Sequence, residues 1–288
     1  MTTSLKISDA MTDSKVMTKS GAKTDPGAVK ASGGSAPTAR QLCEFLADYS
    51  SWLMASGATC IRLEKNVGRI AAAYGMAVEM TVMPRHIHLA ATREGEELTT
   101  YVATVRNQVI DYTVNTRLSR LSWAIADGKT GFREAEEQLK AIVAPRKGNP
   151  LMELMLVALA NASFCRLFGG DGMAMAIVGV ATMAGYYLKQ IMLRRKIDCR
   201  LVFLACSFVS AVIAASDTLF GFGSTPDIAI GSSVLYLVPG IPFLNSFSDF
   251  LYRRYLSAFV RFSDALVLTC CLSTGLCAGM LLMHIGMF

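Results

Sequence analysis

Apolar positions recur with changing periods over the first half of the chain and fuse into long runs over the second. Leu42, Phe45, Leu46, Tyr49 and Leu53 fall at helical spacing. Leu63, Val67, Ile70 and Tyr74 do the same, with Arg62, Lys65, Asn66 and Arg69 opposite and Gly75 as a natural stop. The period then drops to two. Val78, Met80 and Val82 alternate with Glu79 and Thr81, and Ile87, Leu89 and Ala91 with His86, His88 and Ala90. The run 93–97 reads as a turn, and a third strand follows over 99–106. Val114, Leu118, Leu121 and Ile125 predict a helix ending at Asp127-Gly128. Phe132, Ala135, Leu139 and Val143 predict another, entered from Thr130 as N-cap and stopped by Pro145. The order ααβββαα predicts an α+β domain over 40–148, large enough for its own core.

Five apolar stretches follow, at about 151–168, 173–191, 201–216, 228–247 and 266–288. They predict a multi-pass α-helical membrane domain of five transmembrane helices over 149–288, some of them short of the roughly 20 residues of a straight span. Asn149 and Pro150 suit the first cap and first turn, and Glu153 favours the opening dipole. Arg146 and Lys147 precede the first stretch. Lys189, Arg194, Arg195, Lys196 and Arg200 surround the link between the second and third. Arg253, Arg254 and Arg261 lie between the fourth and fifth. The links 169–172 and 217–227 carry no Lys or Arg. This alternation predicts a cytoplasmic N-terminal domain and a C-terminus outside a bacterial inner membrane.

Composition agrees with two unlike halves. Hydrophobic residues make up 52% and charged residues 17%, with 16 charges after residue 150 and 34 before it. A fully soluble globule, a disordered chain, collagen and a small secreted disulfide scaffold are excluded. The net charge of +6 does not argue for nucleic acid, because the basic residues of the second half sit at the ends of apolar runs. Five of the eight cysteines lie in apolar stretches, and Cys43, Cys60 and Cys199 show no CxxC spacing, so neither zinc nor a disulfide network is expected. Residues 1–39 are rich in Ser, Thr, Ala, Gly and Lys and contain no apolar core of a signal peptide, so a disordered cytoplasmic arm is expected.

Few residues invite chemistry. His86 and His88 share a strand face and can ligate a metal, but no third ligand is evident, and a solvated face is the simpler reading. Arg62, Glu64 and Arg69 form a charged helix surface, either solvated or an interface with membrane loops or a partner. Arg166 and Asp171 are expensive in lipid: an interfacial pair or part of a pathway. The sequence Pro239-Gly240-Ile241-Pro242 falls inside the fourth apolar stretch. Two prolines there predict a discontinuous helix, tolerable only inside protein or beside a wet cavity. Asn245, Ser246, Ser248 and Asp249 follow it, to reach a substrate or to cap the helix end. No Walker A motif and no nucleophile–base constellation is present, so no enzyme, cofactor or metal is expected.

The segment from Ser56-Gly57-Ala58 to Gly75, the run Asn115–Leu121, and Leu237–Asn245 followed by Asp249 resemble the threonine/serine exporter (ThrE-like) family. The resemblance covers about residues 40–288. Its members order a cytoplasmic domain before five spans. Fused members carry a second five-span block; this chain is similar to the YjjP-type larger subunit of a split exporter, whose partner is a smaller YjjB-like membrane subunit. The resemblance implies a secondary exporter driven by the proton gradient, of threonine and serine or of a succinate-like dicarboxylate. One departure is Ala258, where family members often carry glycine.

The expectation is therefore an exporter subunit for small carboxylate-bearing metabolites, with alternating access around the broken helix. Pro239, Gly240, Pro242, Asn245 and Arg166 are the candidate substrate-binding residues. Asp217, Asp227 and Asp249 are the candidate proton carriers. The expected partners are the substrate, the lipid bilayer, and a smaller membrane subunit or further copies of the chain. The rival is a membrane-anchored sensor or scaffold without transport.

Overall fold

The computed structural model describes residues 37–93, 95, 97–106, 110–144, 148–221 and 223–284. Nearly all of the expected arm, Glu94 and Glu96 of the turn, and Pro145, Arg146 and Lys147 lie outside the described residues.

Helix α1 (Ala39–Ala55) opens with a reciprocal cap between Thr38 and Gln41. Helix α2 (Cys60–Ala73) is capped by Thr59 and stops where Gly75 takes a φ of +66°, a left-handed turn that suits glycine. Strands β1 (Ala77–Val82), β2 (His86–Thr92) and β3 (Thr99–Thr104) form an antiparallel sheet in chain order. Met80 faces Leu89, and Leu89 faces Tyr101. Helix α3 (Tyr112–Ala126) starts at Asp111, whose carboxylate accepts the N–H groups of Thr113 and Val114, and ends at Asp127-Gly128. Helix α4 (Phe132–Val143) does not use Thr130 as its cap. Thr130 is buried, and Gly131 takes the extended cap position without a side-chain bond.

These elements share one core. Leu42, Leu46 and Leu53 of α1, Leu63 and Ile70 of α2, Ile87 and Leu89 of β2, and Leu118 of α3 are fully or almost fully buried in it. The period-two pattern thus divides β2 as expected: Ile87, Leu89 and Ala91 point inward, and His86 and His88 are exposed. Tyr49 anchors α3 by donating to the carbonyl of Leu118 at 2.9 Å.

Six further helices follow: α5 (Pro150–Leu167), α6 (Gly172–Arg194), α7 (Cys199–Phe220), α8 (Pro226–Ser233), α9 (Gly240–Leu251) and α10 (Tyr255–Leu282). Asn149 caps α5 through Leu151 N–H, with Pro150 in its first turn, as its sequence indicates. Helices α5, α6, α7 and α10 are long and apolar enough to cross a membrane; α8 with a 3-10 turn at Leu235–Leu237 and α9 form a pair bent by 63°, giving up to five passes if the pair is one. Large apolar side chains such as Leu159, Leu244 and Phe259 lie bare on the outside, as in a bundle whose solvent is hydrocarbon.

Two boundaries depart from the apolar pattern. Helix α7 outruns the expected 201–216 at both ends. Helix α10 begins at Tyr255 rather than near 266, so Arg261 is a helical residue and not part of a link. Arg261 is tolerated there because Asp249 lies 3.2 Å from it.

The bundle packs through small residues. A Cβ on Gly275 of α10 would overlap Ser207 and the Leu204 carbonyl of α7, and one on Gly279 would lie 2.7 Å from Ala211 Cβ. Ala258 is buried and its carbonyl accepts the Ser246 hydroxyl at 2.7 Å, so α9 and α10 remain close despite the extra methyl.

Candidate functional site

The break between α8 and α9 follows from its residues. Val238 is extended, the conformation that a following proline favours. Pro239 then holds the cap position of α9 with no side-chain bond to the first turn. Gly240 N–H closes a tight turn on the Val238 carbonyl at 2.8 Å. Pro242 sits in the first turn of α9, where a missing N–H breaks no helical bond. The two prolines therefore define an end and a beginning rather than kink one continuous helix. The uncapped start of α9 carries the partial positive charge of a helix N-terminus.

Beside the first half of the break, α5, α6 and the residues Leu235 and Tyr236 enclose a groove of about 490 Å³, open on one side. Its polar lining is Asn161, Tyr186, Lys189 and Tyr236; Phe164 and Phe168 supply apolar wall. Each neutral polar group is held. Asn161 donates to Thr182 Oγ1 at 2.6 Å and to the Ser232 carbonyl at 3.1 Å. Tyr236 and Ser210 hydroxyls are 3.0 Å apart. Tyr186 donates to Glu153 at 2.6 Å. The ammonium of Lys189 lies 5.4 Å from the Tyr186 ring centre and 5.8 Å from that of Phe203, and it has no carboxylate partner among the described residues. With Glu153 held by Tyr186 and no carboxylate in direct ion-pair contact, a cation in a mostly apolar groove is suited to an anionic ligand. Sequence reasoning counted Lys189 only as a topology marker. The available signal was its place five residues inside the end of α6, beside two tyrosines.

The expected site residues divide among three places. Arg166 is exposed at the end of α5, donates to the Gly170 carbonyl at 3.1 Å, and does not line the groove. It forms no ion pair with Asp171. Asp171 instead caps α6 through Ala174 N–H at 2.7 Å and holds Ser224 through its N–H and hydroxyl. These donors hold its carboxyl down at about 2. Asp217 is fully buried near the end of α7. One oxygen accepts Gly223 N–H at 2.8 Å, and the other has no hydrogen-bond partner. Asp227 is exposed in the first turn of α8.

Asn245 and Asp249 belong to a third place, where the α1–α2 loop meets α9 and α10. Asn245 donates to the Gly57 carbonyl at 2.9 Å. Asp249 accepts the Cys60 N–H at 2.9 Å and the Cys60 thiol at 3.4 Å. Arg261 reaches both Asp249 and the Ala58 carbonyl, the latter at 2.9 Å. Arg254 pairs with Glu64 at 2.6 Å. So Glu64 is docked rather than solvated, and the polar run after the break ties α9 to the N-terminal unit. Among the described residues no three His, Cys, Asp or Glu side chains come together to hold a metal.

A helical bundle able to cross a membrane, with a broken helix next to a cation-bearing groove, is the build of a membrane transporter. The sequence profile of the family described as "Putative threonine/serine exporter" (ThrE) matches residues 44–283, and the chain belongs to that family. The "Probable succinate transporter subunit YjjP" of Klebsiella aerogenes is 28% identical over 222 residues, which are 76% of this chain and 84% of that one. The protein of the same name from Escherichia coli (strain K12) is 27% identical over 76% of this chain and 85% of its own length. No solved structure matches the chain.

Proposed function

We propose that this chain is a subunit of a secondary-active exporter in a bacterial inner membrane, moving small carboxylate-bearing metabolites. The class is threonine/serine or a succinate-like dicarboxylate, in line with the family and with the names of the two relatives. The observation that carries the reading is Lys189, which makes no direct ion pair, in the groove beside the break. A substrate carboxylate there gains a charge-assisted bond in a low-dielectric wall, while the Asn161 and Tyr236 groups set its orientation. The uncapped start of α9 at Pro239, Gly240 and Pro242 offers a second positive end across the break, and alternating access rocks the two half-helices around it. Arg166, at the far end of α5, acts at the rim rather than in the groove. Asp217, with one oxygen free, is the favoured proton carrier; Asp227 is the exposed alternative, and Asp249 works through docking. The N-terminal helix–sheet unit faces the cytoplasm and the C-terminus faces outward, with the bent pair counted as one pass. The open side of the groove is where a smaller membrane subunit or a second copy completes the pathway.

The test is efflux of preloaded threonine, serine and succinate from cells lacking their own exporters, with the chain alone and with a co-expressed smaller subunit. One of these substrates is expected to leave faster, and Lys189→Gln is expected to abolish that gain with protein still in the membrane. Efflux unaffected by Lys189→Gln overturns the groove. Efflux unaffected by replacing Pro239 and Gly240 with Ala and Leu overturns alternating access around the break, and no efflux of any of the three, with protein in the membrane, supports a mere anchor instead.

A further inference from the structure

A second cleft, of about 540 Å³, lies between α2, α3 and α9, away from the Lys189 groove. Arg62, Lys65 and Arg69 project into it from one face of α2, spaced by three and four residues. Along the helix they cover a rise of about 10 Å. Ser119 of α3 and Ser248 of α9 add hydroxyls, and no Asp or Glu lines the cleft.

The two guanidinium groups are held by neutral partners only. Arg62 donates to Asn115 Oδ1 at 2.8 Å. Arg69 donates to Asn66 Oδ1 at 2.9 Å and to the Ser122 hydroxyl at 2.6 Å, and its plane lies 3.7 Å above the Trp123 ring. Such bonds fix the guanidinium positions, leave further N–H donors on each, and cancel no charge. None of the three cations has a carboxylate partner among the described residues. The neighbouring carboxylate on α2, Glu64, is turned away onto Arg254. Three like charges on one face repel one another, and an anion bound in the cleft relieves that repulsion more than the solvent around the exposed Arg62 and Lys65 does.

We propose that this cleft binds a small dianion, with a carboxylate or phosphate group at the Arg62–Lys65 end and a second charge toward Arg69. A single charge at one end leaves the other uncompensated, which favours the dianion. Ser248 places the ligand against α9 next to Asp249, the residue that joins α9 to Cys60. Occupancy therefore bridges the N-terminal unit to the broken helix and reports the dianion to it. The site is separate from transport through the groove, and its test reads binding, not flux.

The chain has two tryptophans, Trp52 and Trp123. In a Trp52→Phe background the full chain, in phosphatidylcholine nanodiscs at constant ionic strength, is titrated with succinate and with inorganic phosphate. A saturable change in Trp123 fluorescence is expected with at least one. Adding Arg62→Gln and Lys65→Gln is expected to weaken it at least tenfold, with the circular dichroism and melting curve retained; adding Lys189→Gln is expected to leave it intact. No response to either anion in the folded protein overturns the proposal. So does a response lost with Lys189→Gln, which belongs to the groove. A response seen only when phosphatidylglycerol replaces part of the lipid also overturns it, because the ligand is then a headgroup.

Discussion

The carboxylate of Asp249 accepts the backbone N–H of Cys60 at 2.9 Å, across 189 residues of chain. Its other oxygen faces the Cys60 thiol at 3.4 Å and Arg261 at 3.2 Å. Asp249 is fully buried, and Arg261 nearly so. Arg261 returns to the same loop by donating to Ala58. The α1–α2 loop is thus held by a charge pair that has left water, with Asn245–Gly57 and Arg254–Glu64 on its flanks. A buried pair of this kind is a weak source of net stability but a demanding one to break, since the surviving partner is left charged and dry.

Asp249→Asn is therefore expected to destabilise the folded protein by about 3–5 kcal/mol through the orphaned Arg261. A joint Asp249→Asn, Arg261→Met variant is expected to recover part of that loss, because no buried charge then remains unpaired. Thermal melts of the purified variants check both. A single variant as stable as the parent removes the lock. Efflux is expected to fall in the single variant, since α9 loses its hold on the N-terminal unit.

The same contact fixes a thiol. Burial, and then the Asp249 carboxylate, push Cys60 up to about 11 from an ordinary value near 9. The protonated form is favoured in the folded state, so this contribution is present below pH 9 and lost as pH rises through 11. Alkylation of Cys60 is expected to be slow at pH 8 and to accelerate toward pH 11, while the exposed Cys199 reacts at pH 8. Mass spectrometry of the labelled peptides reads the two rates. Asp249→Asn is expected to raise the Cys60 rate at pH 8 by loosening the loop.

Much of this architecture was legible because local pattern and tertiary role agree. Leu63, Val67 and Ile70 repeat at helical spacing and are buried; Ile87, Leu89 and Ala91 alternate and are buried. Gly75 and Asp127-Gly128 end their helices where turn chemistry says they should. The start of α10 was hidden because Arg261 and Asp264 lower the apparent hydropathy of its first turns, and the partner that makes Arg261 acceptable lies on another helix. The break was readable from two prolines; the groove was not. Asn161, Lys189 and Tyr236 are tens of residues apart, and nothing in a linear pattern says that they line one wall. For Asn245 and Asp249 the residue types were informative but the partners were not. A polar run after a helix break reads as reaching a substrate or as capping the helix end, and nothing in the linear pattern points to the long-range contacts of Asn245 with Gly57 and of Asp249 with Cys60.

The α7–α10 seam makes a steric prediction. A Cβ at Gly279 would lie 2.7 Å from Ala211 Cβ and 3.1 Å from the Phe208 carbonyl, and neither the backbone nor that methyl can move far. Gly279→Leu is expected to abolish accumulation of folded protein in the membrane. Gly240→Ala has open space around the new methyl and is expected to leave accumulation unchanged. Fluorescence-detected size exclusion compares the two. A monodisperse Gly279→Leu protein at parental yield means that the helices are not so close there.

Asp217 and Asp171 both approach Gly223: a Cβ there would lie 3.1 Å from one carboxylate and 3.0 Å from the other. Asp171 is half-buried, and its helix-cap and Ser224 bonds favour the ionised form; its contribution is present above the ordinary value of 3.8 and lost as pH falls through about 2. It therefore stays ionised wherever export can be assayed, and no step between pH 5 and 8 belongs to it. Asp217 is buried and has an oxygen without a hydrogen-bond partner, which is why it is the favoured proton carrier of the proposed mechanism. Asp217→Asn keeps the acceptor for Gly223 N–H and nearly the same volume, so the fold is expected to survive. In proteoliposomes with an imposed pH gradient, that variant is expected to lose gradient-driven transport while keeping exchange of substrate between the two sides. Asp171→Ala is expected instead to impair folding or yield without altering the pH profile of whatever protein inserts. Gradient-driven transport at the parental rate in Asp217→Asn would move the proton to another residue, with Asp227 the first to replace.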